Sequence, residues 1–320
     1  MYTKTKLVVV IPAFNEEQTI GNVIKEIPRK IEGISEIEVL VVDDGSTDNT
    51  QKVSQEAGAD VIIQHSRNMG LGNSFSDGIQ KALSMGADFI VTLDADGQFN
   101  PTEIPILLKN LLYSDADVVL GSRFLDKELE PKMPLTKKIG NKLFTHLVNY
   151  LTHQKFFDAQ CGFRVYSREA ALNINSFGTH TYTQEVIITL AKKGFKIIEI
   201  PCTVSARKFG KSKIADNVLL YGLKASTILI QTARDYSPIL FFGSIGLAFL
   251  FLGSFINALL FIRWIFTGLV HPYRSLVTLA GLSMVLGFVF LILSFIVDML
   301  DRHRRMLDEI LYETRKNRKT

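Results

Sequence analysis

Two long uncharged stretches near the C-terminus constrain this chain more than any other feature. About 25 residues from Pro238 to Ile262 pass without a charge, and about 23 more do so from Ser275 to Val297. Roughly 20 apolar residues cross a bilayer core, and helices buried in a soluble core seldom stay uncharged for so long. Both stretches are therefore read as membrane spans, 238–262 and 275–297. The short connection Arg263–Arg274 makes them a hairpin over 238–297, with Trp264 and Tyr273 as interfacial aromatics.

Basic residues orient the hairpin. The tail, 298–320, carries Arg302, Arg304, Arg305, Arg315, Lys316, Arg318 and Lys319, and the approach to the first span carries Arg207, Lys208, Lys211 and Lys213. The connection holds only Arg263, Arg274 and His271. The positive-inside rule then places both ends in the cytoplasm. The first apolar run, Leu7–Ile11, is too short for a signal peptide and meets Pro12, so the large N-terminal part is expected to stay cytoplasmic.

Just before the first span, Ile214, Val218, Tyr221, Ala225, Ile228 and Leu229 recur at helical spacing. Segment 214–237 is accordingly expected to be an amphipathic helix in the membrane interface, although a packing helix of the soluble domain shares the pattern. Beyond the second span, Met299, Met306, Leu307, Ile310 and Leu311 form an apolar stripe among charges. That stripe is open to two readings: a face pairing homo-oligomer protomers, or a solvated helix on the membrane surface.

The remaining 1–213 alternates short β-rich runs with helical patterns. Leu7–Ile11, Val39–Val42, Val61–Gln64, Phe89–Leu93 and Val118–Leu120 read as strands buried on both faces, separated by helices near 16–30, 48–57, 72–85 and 103–113. This alternation predicts a mostly parallel, doubly wound α/β sheet, whose ligands sit beyond the C-terminal strand ends. A composition 47% apolar and 21% charged excludes a disordered chain, and two cysteines exclude a disulfide scaffold and fit a reducing compartment. A net charge of +4 gives no support to a nucleic-acid partner.

The polar motifs fall at the expected strand ends. Asp94-Ala95-Asp96-Gly97-Gln98 follows the fourth strand, and two carboxylates at alternate positions, with the Gln98 amide oxygen, can face one hard cation such as Mg2+ or Mn2+. Asp43-Asp44-Gly45-Ser46 follows the second strand, where a carboxylate could accept from a nucleobase amide edge or simply cap a turn. Pro12, Phe14 and Glu16 sit at the mouth of the same sheet. Arg123, in Gly121-Ser122-Arg123-Phe124, follows the fifth strand. Lys138 lies with Lys137 and Lys142 on one helix, either a solvated face or an addition to the basic field, and Arg207–Lys213 suits a lipid headgroup contact or a loop folding over a phosphate. Gly70-Leu71-Gly72 lacks the third glycine of a dinucleotide fingerprint, Phe75 standing in its place. The six histidines show no zinc spacing, and no nucleophile elbow or Walker loop occurs.

The ordered set resembles family 2 glycosyltransferases of GT-A fold, a Rossmann-like architecture. More narrowly it resembles the dolichol-phosphate mannose synthase and polyprenyl-phosphate glycosyltransferase group. The motifs are Ile11 to Glu17, Asp43 to Ser46, Arg67 to Gly72, Asp94 to Gln98, Gly121 to Phe124, Cys161-Gly162-Phe163-Arg164 and Arg207 to Lys213. The resemblance implies a nucleotide-sugar pocket lined by Pro12, Phe14, Glu16, Asp44 and the Asp94-Ala95-Asp96 turn. It implies Mg2+ or Mn2+ held by Asp94, Asp96 and Gln98. Phosphates of donor and lipid acceptor would be gripped by Arg123, Arg207 and Lys213, with Lys138 adding to the field. Asp158 and Glu185 would be a candidate base and an orienting carboxylate, completing a catalytic set with Asp96 and Arg123. The implied reaction is inverting hexose transfer from GDP-mannose, UDP-glucose or UDP-N-acetylglucosamine to dolichyl or polyprenyl phosphate. A glycolipid or lipid-linked oligosaccharide acceptor is the alternative. Gln231-Thr232-Ala233-Arg234-Asp235 departs from the Gln-x-x-Arg-Trp motif of processive synthases, which argues against polymer synthesis.

Overall fold

The computed structural model describes residues 5–131, 133–174, 182–205, 230–232, 234 and 236–317. The chain divides into two compact units, residues 1–222 with 312–320, and residues 223–311. Arg207, Lys213 and nearly all of segment 214–237 lie outside the described residues.

The first unit is built on seven strands: β1 (Lys6–Ala13), β2 (Glu36–Asp43), β3 (Val61–Gln64), β4 (Phe89–Thr92), β5 (Val118–Ser122), β6 (Arg164–Ser167) and β7 (Ile197–Pro201). Their order is β3-β2-β1-β4-β6-β5-β7. All neighbours are parallel except β6, which runs antiparallel to both β4 and β5. The five strands read from sequence are present. β6 and β7 are additions, and β6 makes the sheet mixed.

The helices are α1 (Ile20–Glu26), α2 (Thr50–Glu56), α3 (Leu71–Ser84), α4 (Ile104–Tyr113), α5 (Leu135–Thr152), α6 (Arg168–Leu172) and α7 (Tyr182–Lys192). Strand alternation divides the core between the two faces of the sheet. Leu7, Val9 and Ile11 of β1 pack with Ile20 and Ile24 of α1 and Leu107 and Leu111 of α4. The opposite face meets α3, where a Cβ at Gly78 would collide with Val10 of β1. That missing side chain lets the helix lie directly on the sheet.

The strand order reverses between β1 and β4. Chain direction brings the C-terminal ends of β1, β2, β4, β5 and β7 to one edge. Because β6 is antiparallel, its N-terminal residue Arg164 lies at that edge too, in register with Thr92 and Leu120.

The second unit contains α8 (Pro238–Thr267) and most of α9 (Arg274–Asn317), both long and apolar enough to cross a membrane. The second span and the tail as far as Asn317 form one continuous helix of 44 residues. Small residues let α8 and α9 approach backbone to backbone: a Cβ at Gly246 would stand 2.9 Å from the Gly287 carbonyl oxygen, and one at Gly253 would stand 2.8 Å from that of Ala280. Ser283 Oγ donates to the Phe249 carbonyl across the pair at 2.8 Å.

Candidate active site

The loops after β1 and β2 are laced together by hydrogen bonds. Asn15 N donates to Ser46 Oγ (2.9 Å), Thr47 N to Asn15 Oδ1 (2.8 Å) and Glu16 N to Thr50 Oγ1 (2.8 Å). Pro12 is buried at the end of β1, whereas Phe14 and Glu16 remain partly exposed at the mouth. The Glu16 carboxylate accepts from Thr19 Oγ1 at 3.1 Å, just ahead of α1.

Asp44, 4% exposed, anchors the next loop. Its carboxylate accepts from Met69 N (2.8 Å) and Gly70 N (2.9 Å) and meets His65 Nδ1 at 2.8 Å. The other ring nitrogen of His65 lies 3.1 Å from Asp77 on α3. Gly45 has φ +73°, and a Cβ there would fall 2.5 Å from the Arg67 carbonyl carbon. The Asp43–Ser46 and Arg67–Gly72 motifs are thus two sides of one interlocked structure.

Across the switch in strand order lies the acidic loop. Asp94 and Asp96 are partly exposed, with Ala95 buried between them. Asp96 Oδ1 accepts from Gln98 N at 3.0 Å, a local turn that Gly97 completes at φ +70°. Ser205 N donates to Gln98 O at 2.8 Å, so the chain passes the acidic loop just before the basic run begins. Among the described residues no group of three or more His, Cys, Asp or Glu side chains could hold a metal ion. Two carboxylates and an amide oxygen do not make a zinc site. They suit Mg2+ or Mn2+, which leave the rest of their coordination to water and phosphate.

At the end of β5, Arg123 is locked onto Asp158. Nε and Nη2 donate to the two carboxylate oxygens at 2.6 and 2.8 Å, and the Arg123 backbone N donates at 3.1 Å. Asn141 Nδ2 adds a donor at 3.0 Å. Asp158 is fully buried, while the Arg123 side chain stays 21% exposed. Burial pushes the Asp158 carboxyl up, but the Arg123 hydrogen bonds and charge, with Asn141, outweigh it and hold it below the usual carboxylate range. Glu199 on β7 accepts the backbone N–H groups of Phe157 and Asp158 at 2.7 and 2.8 Å. Burial raises its carboxyl, against the pull of those two donors.

The fold therefore brings Pro12, Phe14, Glu16, Asp44, Asp94, Ala95, Asp96, Gln98, Arg123 and Asp158 to the same sheet edge. Lys138 pairs with Glu130. Glu185 stands partly buried in the first turn of α7. One residue escaped sequence reading, and another was quoted in a motif without a role. His65 follows β3 as the other site residues follow their strands, a positional signal that its isolation as a histidine hid. Arg164 is fully buried, its guanidinium on the carbonyls of Cys161, Ala159 and Thr183.

Comparison with known proteins accords with this architecture. Residues 8–174 match the model of glycosyl transferase family 2. The chain belongs to that family and is a glycosyltransferase. It is 28% identical over 316 residues to glycosyltransferase AglJ of Haloferax volcanii, covering 97% of this chain and 99% of that protein. It is 32% identical over 213 residues to the dolichyl-phosphate hexose transferase of the same organism, covering 67% and 88%. Among solved structures, the glucosyl-3-phosphoglycerate synthase of Mycobacterium tuberculosis, crystallised with Mn2+, uridine diphosphate and phosphoglyceric acid, matches with a TM-score of 0.54. That likeness covers 72% of this chain and 78% of the other at 21% identity, and it concerns the fold.

Proposed function

We propose that the chain transfers a hexose from a nucleotide sugar to dolichyl or polyprenyl phosphate, with Mg2+ or Mn2+, at the cytoplasmic face of a membrane. The observation that carries this reading is that Asp94 and Asp96 follow β4 where the strand order reverses, at the same sheet edge as the interlocked Asp44 loops, in a chain that also carries two membrane-length helices. Similarity to a dolichyl-phosphate hexose transferase supports the acceptor class.

In this mechanism Pro12, Phe14, Glu16, Asp44 and Ala95 shape the nucleotide pocket. Asp94 and Asp96, with Gln98, would hold the divalent cation, which would supply positive charge to the leaving diphosphate. An acceptor phosphate oxygen bonds to the anomeric carbon as the bond from that carbon to the nucleoside diphosphate breaks, with inversion. A phosphate monoester has its second pKa near about 6, so the acceptor is largely ionised at neutral pH and needs little help from a base. Asp158, with both oxygens engaged by Arg123, is read here as the group that holds Arg123 in place. Arg123, with Arg207, Lys213 and Lys138, then offsets the repulsion between anionic donor and anionic acceptor.

Asp96→Asn is expected to lower transfer at least about a hundredfold, the scale of losing one electrostatic contact to the leaving group. The check is initial rate at saturating Mn2+ beside thermal stability. A folded variant with near wild-type transfer contradicts the assignment.

A further inference from the structure

The Cys161–Arg164 segment has no part in the mechanism above, yet it touches the acidic loop at two points. A Cβ on Gly162 would stand 2.9 Å from Asp94 Oδ2 and 3.0 Å from Oδ1. Gly162 does not have a positive φ, so the backbone alone does not call for glycine there. A side chain there would have to push aside the Asp94 carboxylate, which rests against the bare Cα. One residue on, Phe163 packs on Phe99 just beyond Gln98, with ring centroids 5.7 Å apart.

The segment is itself held rigidly. Thr92 Oγ1, buried at the end of β4 two residues before Asp94, donates to the Gly162 carbonyl at 2.8 Å. Arg164 holds the main chain on either side: its Nε donates to Cys161 O at 2.7 Å, and its terminal nitrogens donate to Thr183 O at 2.9 Å and Ala159 O at 3.2 Å. A fully buried guanidinium bound to carbonyls is costly to move, because each displaced donor would lose its partner in a dry interior. The antiparallel course of β6 delivers this frame to the edge where β4 ends.

We infer that this segment is a backstop that fixes the Asp94 carboxylate for cation binding, with Gly162 as a positioning residue and Thr92 and Arg164 as its supports. The role rests on the reading of Asp94 and Asp96 as cation ligands. It explains a glycine beside a carboxylate: one oxygen-bearing group is pressed against bare backbone and loses rotamer freedom before any ligand arrives. Groups behind a metal ligand commonly govern affinity through that kind of restraint.

The test titrates the full-length chain in detergent with Mn2+ alone and reads free Mn2+ by its electron paramagnetic resonance signal, with thermal unfolding measured in parallel. The wild-type chain is expected to bind Mn2+ at a site that Asp96→Asn removes. Gly162→Ala is expected to weaken that site about tenfold or more while the protein stays folded. Thr92→Val, which removes the hydroxyl and keeps the branched shape, is expected to weaken it in the same direction, and it decides the matter alone if Gly162→Ala does not fold. Wild-type Mn2+ affinity in a folded variant of either kind overturns the backstop role and leaves the cation site standing. Absence of any Asp96-dependent Mn2+ site in the wild-type chain overturns the cation reading and the backstop together.

Discussion

At the scale of single residues, the Arg123–Asp158 pair is an ion pair whose carboxylate is fully buried. Removing one partner of a buried pair leaves the other desolvated and unmatched, so Asp158→Asn is expected to cost about 3 kcal/mol of stability. The pair also sets a pH dependence. A carboxyl held below its ordinary range contributes fully above that range and loses its contribution as pH falls through the depressed value. Glu199 has the opposite sign: its carboxyl is raised by burial, so its ionisation costs stability as pH rises through the carboxylate range. Unfolding temperatures of the wild type should therefore fall on acidification below about pH 4. Asp158→Asn should show a shallower fall, and equal slopes in the two proteins would contradict the assignment. The residues of this pair were legible in the sequence as candidates, but their relation was not. Nothing local to Asp158 shows that Arg123, in the loop after β5, takes up both of its oxygens. His65 was hidden for a similar reason, since its two carboxylate partners come from the loop after β2 and from α3.

At the scale of elements, the first five strands were legible because each is a compact apolar run ended by polar residues. β6 was not, since it is four residues long and opens with Arg164, a charge that reads as loop until three buried carbonyls are found around it. β7 carries Glu199 in mid-strand and ends in Pro201, signals that demote a strand when read locally. Of the site, the carboxylates and Arg123 were legible from their places after strands. The Gly162 contact was not, because it depends on the antiparallel insertion of β6 beside β4. The hairpin helices were legible by length and apolarity alone, yet their packing is set by glycines that a hydropathy pattern does not single out. Gly253→Leu should force α8 away from Ala280 and Met284, lowering the unfolding temperature of the detergent-solubilised protein by several degrees. An unchanged temperature would show that the close approach is not needed for stability.

At the scale of the whole molecule, the topology proposed from the basic residues would put the catalytic unit and the connection Arg263–Arg274 on opposite sides of a membrane. Both native cysteines are buried, which leaves a quiet background for thiol labelling. Leu269→Cys, at a position 63% exposed in the connection, should react with an impermeant maleimide on intact cells. Lys155→Cys, exposed on the catalytic unit, should react only after permeabilisation. The reverse pattern would invert the topology and separate the active site from cytoplasmic nucleotide sugars. The central claim, hexose transfer to a lipid phosphate, is tested most directly by supplying the purified protein with a short polyprenyl phosphate, Mn2+ and one labelled nucleotide sugar at a time. Chelator-sensitive movement of label into the organic phase with one donor is the predicted result. Donor binding without organic-phase label from any of GDP-mannose, UDP-glucose or UDP-N-acetylglucosamine would contradict it.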